Sequence, residues 1–374
     1  MARLARDLHP VAWWLWAIGL AAYAGQARNP WILLLLVGVA AVVVTARRSD
    51  QPWAAVWRLY LLMAALIVVT RLLFRILFGG GFAVPSDTVV VDLPQIPLPE
   101  WVLGIRLLGP VTRETVLAGL YDGLQLGAIV VCVGAANALA NPKRLLRSLP
   151  PALYEIGTAL VVAVTVVPQM ADSVRRVRAA QRLRAGDDRR VGRLRRFMVP
   201  VLEDALERSL ALAAGMDARG YGRTGSATAA ERRRTGAFLL AGLVGVCVGV
   251  YAVLDATAPR MLAAPMLVLG VGLAAVGLVA AGRRVARTVY RPDPWRWEET
   301  AVAASGLAAG VAGWWLGRHA PLVAFPLVTE APQVTLLALA GVLVGLAPAV
   351  VAPLPRLRSL EGERSTGPRT EVAA

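Results

Sequence analysis

Apolar residues fill this chain in long blocks, and polar residues gather between them. The blocks cover residues 11–25, 31–45, 59–78, 115–136, 152–170, 237–256, 262–281, 301–317 and 334–352. Most approach the ~20 residues an α-helix needs to cross ~30 Å of hydrocarbon. The first two are short, and Trp13, Trp14, Trp16 and Trp31 at their flanks extend them through the interface. Arg3, Arg6 and the stretch Ala24-Gly25-Gln26-Ala27 give the first block the outline of a cleavable signal peptide. The second block starts at once, so a retained hairpin of two spans is the reading. In the third, Arg71 and Arg75 share one helical face, each at a cost of roughly 2.5–3.5 kcal/mol if held at the bilayer centre. Near the segment's end they are expected to snorkel to the interface; a polar contact with a partner in the membrane is the sharper alternative. Residues 79–113 read as a Gly- and Pro-rich outer loop, with 101–108 lying on the surface. Asp122 reads as an interfacial carboxylate.

The polar stretch 171–234 breaks the pattern. Residues 171–185 are helical in composition and stop at Gly186, and 187–196 form a charged turn. A second helix over 197–219 stops at Gly220. On it Val201, Ala205, Leu212 and Met216 share one face, with Glu203, Asp204 and Glu207 largely opposite. Each helix carries an arginine, Arg184 or Arg219, into its C-terminal end beside small residues. Ala and Gly there let a partner's backbone come close, and a guanidinium fork pairs with a carboxylate in a fixed orientation. Arginine near a helix C-terminus also suits the helix dipole, so the pattern alone is weak.

Composition sharpens the class. The chain has 374 residues, 57% of them hydrophobic, which fits an integral membrane protein. Its formal charge of +16 reads as the basic bias of cytoplasmic loops and not as a nucleic-acid footprint. That bias decides between topologies. With eight spans and both termini in the cytoplasm, only Arg28, Arg106, Arg113, Arg260 and Arg318 fall outside. This requires residues 152–170, which hold Glu155 and Pro168, to form an amphipathic helix on the cytoplasmic face. The fold class is therefore all-α: a polytopic helical membrane protein with about eight transmembrane helices and a cytoplasmic helical domain between the fourth and fifth. Its parts are four spans in 1–140, the cytoplasmic helices in 141–236 and a fifth span in 237–256. Further C-terminal spans fill 257–352, and a polar tail runs from 353 to 374. Lys143 is the single lysine among 40 basic residues, a high-GC bacterial signature that points to a bacterial cytoplasmic membrane. Cys132 and Cys247 are expected as free buried thiols. His9 and His319 stand apart, without metal-ligand spacing.

The longer context resembles the transmembrane (T) component of energy-coupling factor transporters, which import vitamins and transition-metal ions. The resemblance covers roughly residues 8–223. It rests on Asn29-Pro30, Leu149-Pro150, Pro168, the run Ala180-Gln181-Arg182-Leu183-Arg184, and Gly215-Met216-Asp217-Ala218-Arg219-Gly220-Tyr221. In that family two Ala-Arg-Gly signatures close the coupling helices and dock into two ABC-type ATPase subunits. The second signature matches at Ala218, Arg219 and Gly220. The first departs, because Ala185 stands between Arg184 and Gly186. The resemblance implies a non-catalytic subunit that holds no cofactor. ATP would be bound by its ATPase partners and substrate by a small membrane-embedded subunit.

Two other classes fit the residues less well. An interfacial enzyme acting on a lipid or prenyl phosphate would use Arg189, Arg190, Arg193, Arg195 and Arg196 for a phosphate. It lacks clustered carboxylates beyond Asp187-Asp188 and Glu203-Asp204, which read as solvated, and no phosphate-binding loop of the GxxxxGK[ST] type occurs. A self-sufficient secondary transporter would show duplicated halves, and none are evident.

Overall fold

The computed structural model describes residues 6–50, 52–78, 88–94, 96–97, 106–183, 190–221, 228–255, 259–282 and 293–355. It divides into two compact units, Met1–Leu145 with Asp293–Ala374, and Leu146–Pro292. Seven helices among the described residues are long and apolar enough to cross a membrane.

The first unit is built from both ends of the chain. Helix α1 (Pro10–Gly25) is 16 residues long, about 24 Å at 1.5 Å per residue and short for a span. His9 caps it, and Asn29 caps α2 (Pro30–Arg47), each followed by a proline in the first helical position. Helix α3 (Trp57–Phe78) follows a 3-10 turn, and a segment with short paired strands joins it to α4 (Arg113–Leu139). The segment expected as plain loop carries strands there. β1 (Val89–Asp92) pairs antiparallel with β4 (Pro110–Thr112), and β2 (Ile96–Pro97) with β3 (Arg106–Leu107). Residues 98–105 fall outside the described residues. Short helix α5 (Pro142–Arg147) follows, its start fixed by the Asn141 side chain, which accepts from the amides of Lys143 and Arg144.

Glycines on α4 let α3 lie close. A Cβ at Gly123 would stand 3.0 Å from the Val68 Cα, and one at Gly119 2.8 Å from the Arg75 Cγ. The outer face of α3, including Leu62, Leu66 and Leu73, is left exposed, as a lipid-facing helix requires. Asp122 on α4 is more than an interfacial carboxylate. It pairs with Arg28 at the entry to α2 and lies 3.5 Å from Arg75 on α3. Arg75 therefore finds its counter-ion within the chain, which answers the cost of placing it in the segment.

The C-terminal helices are sewn into this bundle. Helix α10 (Trp297–His319) crosses α1 where Gly306 meets the backbone of Trp16 and Gly310 that of Gly19; Gly313 lies against Tyr23. Small residues at such a crossing let two backbones touch. Short helix α11 (Pro321–Ala324) sits by the entry to α2: the Arg28 amide donates to the Ala324 carbonyl, and the buried Asn29 amide group donates to Val323 and Gln333. The last apolar run is broken into α12 (Leu336–Leu343), a 3-10 turn and α13 (Ala347–Val351). Side chains of the N-terminal helices take its freed or terminal carbonyls. Tyr23 Oη donates to Ala338, Trp16 Nε1 to Gly345 and Arg47 to Ala349.

The second unit holds α6 (Tyr154–Leu183), α7 (Arg190–Ala218), α8 (Ala229–Leu254) and α9 (Arg260–Gly282). α8 and α9 pack closely on one another through Gly242, Gly245, Gly249 and Gly270. Thr228 and Glu231 close a reciprocal capping box at the start of α8. Cys132 is buried as expected, but Cys247 on α8 is exposed, as are Leu240, Leu243, Val244 and Tyr251 of the same helix.

Candidate functional site

The candidate site is the helix pair α6–α7. The stretches 152–170 and 171–185, given separately by the sequence pattern, do not part at Met170. α6 is one helix of 30 residues that carries Pro168 inside it. A proline there removes a single amide donor, the one facing the Val164 carbonyl, and the turns on either side carry the helix through. Residues 152–170 are thus continuous with 171–183, and the 156–180 section is apolar and long enough to cross a membrane. Ahead of α6, a 3-10 turn at Pro151–Leu153 packs against α9, and Leu149 lies beside Gly157.

α7 begins earlier than its pattern implied, at Arg190, so most of the expected charged turn is helical. One carboxylate ties the two helices together. Asp204 accepts from the hydroxyl of buried Ser173 on α6 and from Arg208 Nε one turn along α7, at 3.1 Å, with Arg176 of α6 at 3.5 Å. The Ser173 hydrogen bond, followed by Arg208, holds the Asp204 carboxyl below its ordinary range. Sequence reasoning had placed Asp204 among solvated acids opposite the apolar face. The available signals were the Asp204–Arg208 spacing and a lone serine on an arginine-rich helix face. Away from this contact, apolar side chains stay exposed: Ile156, Leu160, Val164 and Val167 on α6, and Val199, Leu202, Leu206 and Leu210 on α7. Both sets repeat at helical spacing, so each is a continuous stripe. Val201 is buried as the pattern required, whereas Leu212, on the same predicted face, is exposed.

The end of α7 is built with care. Gly220 has φ 74°, in the left-handed region that side chains with a Cβ avoid. The Tyr221 amide donates to the Met216 carbonyl at 3.1 Å, and the Gly220 amide to Asp217 at 2.8 Å. These two bonds are the Schellman pattern, which satisfies the orphan carbonyls of the last turn. Ala218 closes the helix and Arg219 follows it directly. Arg219 is exposed and, among the described residues, has no ion-pair partner. One turn back, Gly215 has open space where a Cβ would stand. The tip is therefore a free guanidinium on a rigid end, with a thin backbone beside it. Arg184 and Gly186, expected as the matching tip of the first helix, lie outside the described residues. No group of three or more potential metal ligands occurs among the described residues.

The structure defines an all-α polytopic membrane protein that presents a long helix pair, α6 and α7. The chain is a member of the cobalt transport protein family, CbiQ, whose sequence profile matches residues 1–229. The match takes in α1 to α7 and stops where α8 begins. Comparison with curated proteins finds no match. The protein is a multi-pass membrane component of a transporter that works with other subunits.

Proposed function

We propose that this chain is the coupling subunit of an energy-coupling-factor type ABC importer for a transition-metal ion or a vitamin. The family's description favours cobalt within that range. The subunit has no catalysis and no cofactor of its own. Two ABC-type ATPase subunits bind and hydrolyse ATP, and they dock at the two coupling tips. One tip is formed by Arg184 and Gly186, the other by Ala218, Arg219 and Gly220. A small membrane-embedded subunit binds the substrate. Movement of α6 and α7 with the ATPases reorients that binder. The assembly sits in the bacterial cytoplasmic membrane, with both termini of this chain and the α6–α7 pair on the cytoplasmic side, where the basic residues concentrate.

The observation that carries the reading is the α7 tip. An exposed arginine with no ion-pair partner among the described residues, locked at the end of a helix by a glycine turn, is pre-organised for a carboxylate on another protein. Arg219→Ala is expected to weaken ATPase association by about 2–5 kcal/mol, the usual cost of removing one member of a desolvated charge pair. Co-purification of ATPase subunits with wild type, each single arginine variant and the Arg184→Ala/Arg219→Ala double variant measures this. Full recovery of both ATPases with the double variant sinks the docking mechanism.

A further inference from the structure

The chain leaves the first unit after Leu145 and returns to it at Asp293. Everything between these points, including α6 and α7, hangs from two crossings. The two crossings are clamped together. Arg144, one residue before the exit, donates Nε to Asp293 at 2.9 Å and an Nη to the same carboxylate at 2.6 Å. This is the bidentate fork geometry that fixes direction as well as distance. The Arg144 side chain is 22% exposed, so the pair is partly withdrawn from solvent. A second Nη of Arg144 lies 3.8 Å from the Asp7 carboxylate, and the Asp7 carbonyl accepts a bond of 3.3 Å.

Asp7 belongs to an arm that is itself tied to the start of α10. Arg6 lies 2.9 Å from Glu299 and 3.5 Å from Glu298, and the His9 amide reaches Glu299 at 3.4 Å. The Glu299 side chain is fully buried, and its other partner is the Arg296 amide at 3.0 Å. Exit, re-entry and N-terminal arm are thus joined by three short links in one place. None of these acids falls in a catalytic or metal-binding pattern, and the partly exposed Arg144–Asp293 pair contributes little to stability by itself. Their position explains them better than their energy does.

We infer that Arg144 is a positioning residue for coupling. Its fork on Asp293 makes the two crossings a single joint, through which movement of α6 and α7 is passed to α1 and α10. A loose joint would let the 146–292 segment move while α1 and α10 stayed still. The inference rests on the coupling role proposed above. It adds a part of the transmission that lies beyond the family match, since Asp293 falls outside residues 1–229.

The test is hydrogen exchange on the full chain purified with its ATPase subunits, compared between the nucleotide-free and vanadate-trapped ATP states. In wild type, trapping is expected to change exchange in residues 6–12 and 293–302 as well as in α6 and α7. With Arg144→Gln the ATPases still co-purify, but the change in 6–12 and 293–302 falls about three- to thirty-fold, the range for a coupling residue that touches neither ligand. The exchanged-charge variant Arg144→Asp/Asp293→Arg restores it. A merely structural role would raise exchange equally in both nucleotide states, and that result overturns the inference. So does a wild-type response confined to residues 146–292, or an undiminished response in Arg144→Gln. Failure of the ATPases to co-purify with wild type removes the coupling role itself, a separate outcome.

Discussion

The crossing of α1 with α10 and the pairing of α6 with α7 solve opposite problems. At the first, Trp16, Leu20 and Tyr23 are wholly buried, and glycines on both helices bring backbone against backbone. At the second, one carboxylate and a few side chains join helices of 30 and 29 residues, and two apolar stripes stay bare. The difference marks the first region as a finished scaffold, complete within one chain. The second keeps apolar surface open to lipid or to the other subunits of the transporter. It also separates what rigidity is for. The scaffold keeps shape through packing density, whereas the helix pair keeps it through the Asp204 link and, at the end of α7, through Gly220.

Breaking the crossing has the largest expected effect. In Gly306→Leu the new side chain would start inside the Trp16 backbone, and overpacking of this kind costs about 1–3 kcal/mol or more. Loss of a monodisperse peak in detergent, measured by size-exclusion chromatography, checks it; a wild-type profile would show that the helices can part cheaply. Next comes the tip. Gly220→Val forces a β-branched residue to φ 74°, at about 1–2 kcal/mol. The expected outcome is weaker ATPase recovery with the chromatographic profile unchanged, because the strain falls on the last turn of α7 alone.

A pH effect sharpens the comparison further. The Asp204 carboxyl is held below its ordinary value of 3.8 by Ser173 and Arg208. The unfolded chain therefore binds that proton more readily than the native pair does. The stabilisation is fully present above about pH 4 and is lost as pH falls through the depressed value. Exchange protection of α6 and α7, corrected for intrinsic rates, should drop in that acid range in wild type. Asp204→Asn should show low protection throughout and no such drop. The smallest effect is expected at Gly215. Its surroundings are open, so Gly215→Ala should change thermal stability by no more than about 0.5 kcal/mol. A large loss there would mean that the lever is packed as tightly as the scaffold.

Much of the architecture was written in the spacing of apolar blocks, since hydrocarbon thickness dictates their length. Gly220 was legible for a similar reason: only a residue without Cβ closes a helix in that way, so its identity announces its conformation. Other features depend on partners far along the chain. Nothing near Gly19 says that Gly306 lies against it, and nothing near Trp16 says that its indole will take the carbonyl of Gly345. The break in the last apolar run follows from such contacts and from Pro348, which cannot supply an amide. Asp122 illustrates the same limit: its counter-ions come from two other elements, 94 and 47 residues away. In α6 the opposite error arose. Pro168 looks like a terminator, yet the apolar and helix-forming residues on both sides outweigh one missing bond.

The bonds from Tyr23 and Trp16 to the final helices carry a consequence for how the molecule is made. Its first hydrophobic helix is delivered to the membrane long before the segments that cover it exist. At ~5–20 residues per second, roughly 15–60 s of translation separate the two. During that interval the α1 glycine face and its indole N–H have only lipid, α2 and α4 for company. A ribosome that stalls after α9 therefore leaves behind a chain with a complete α6–α7 pair and an open seam where its last quarter should have closed.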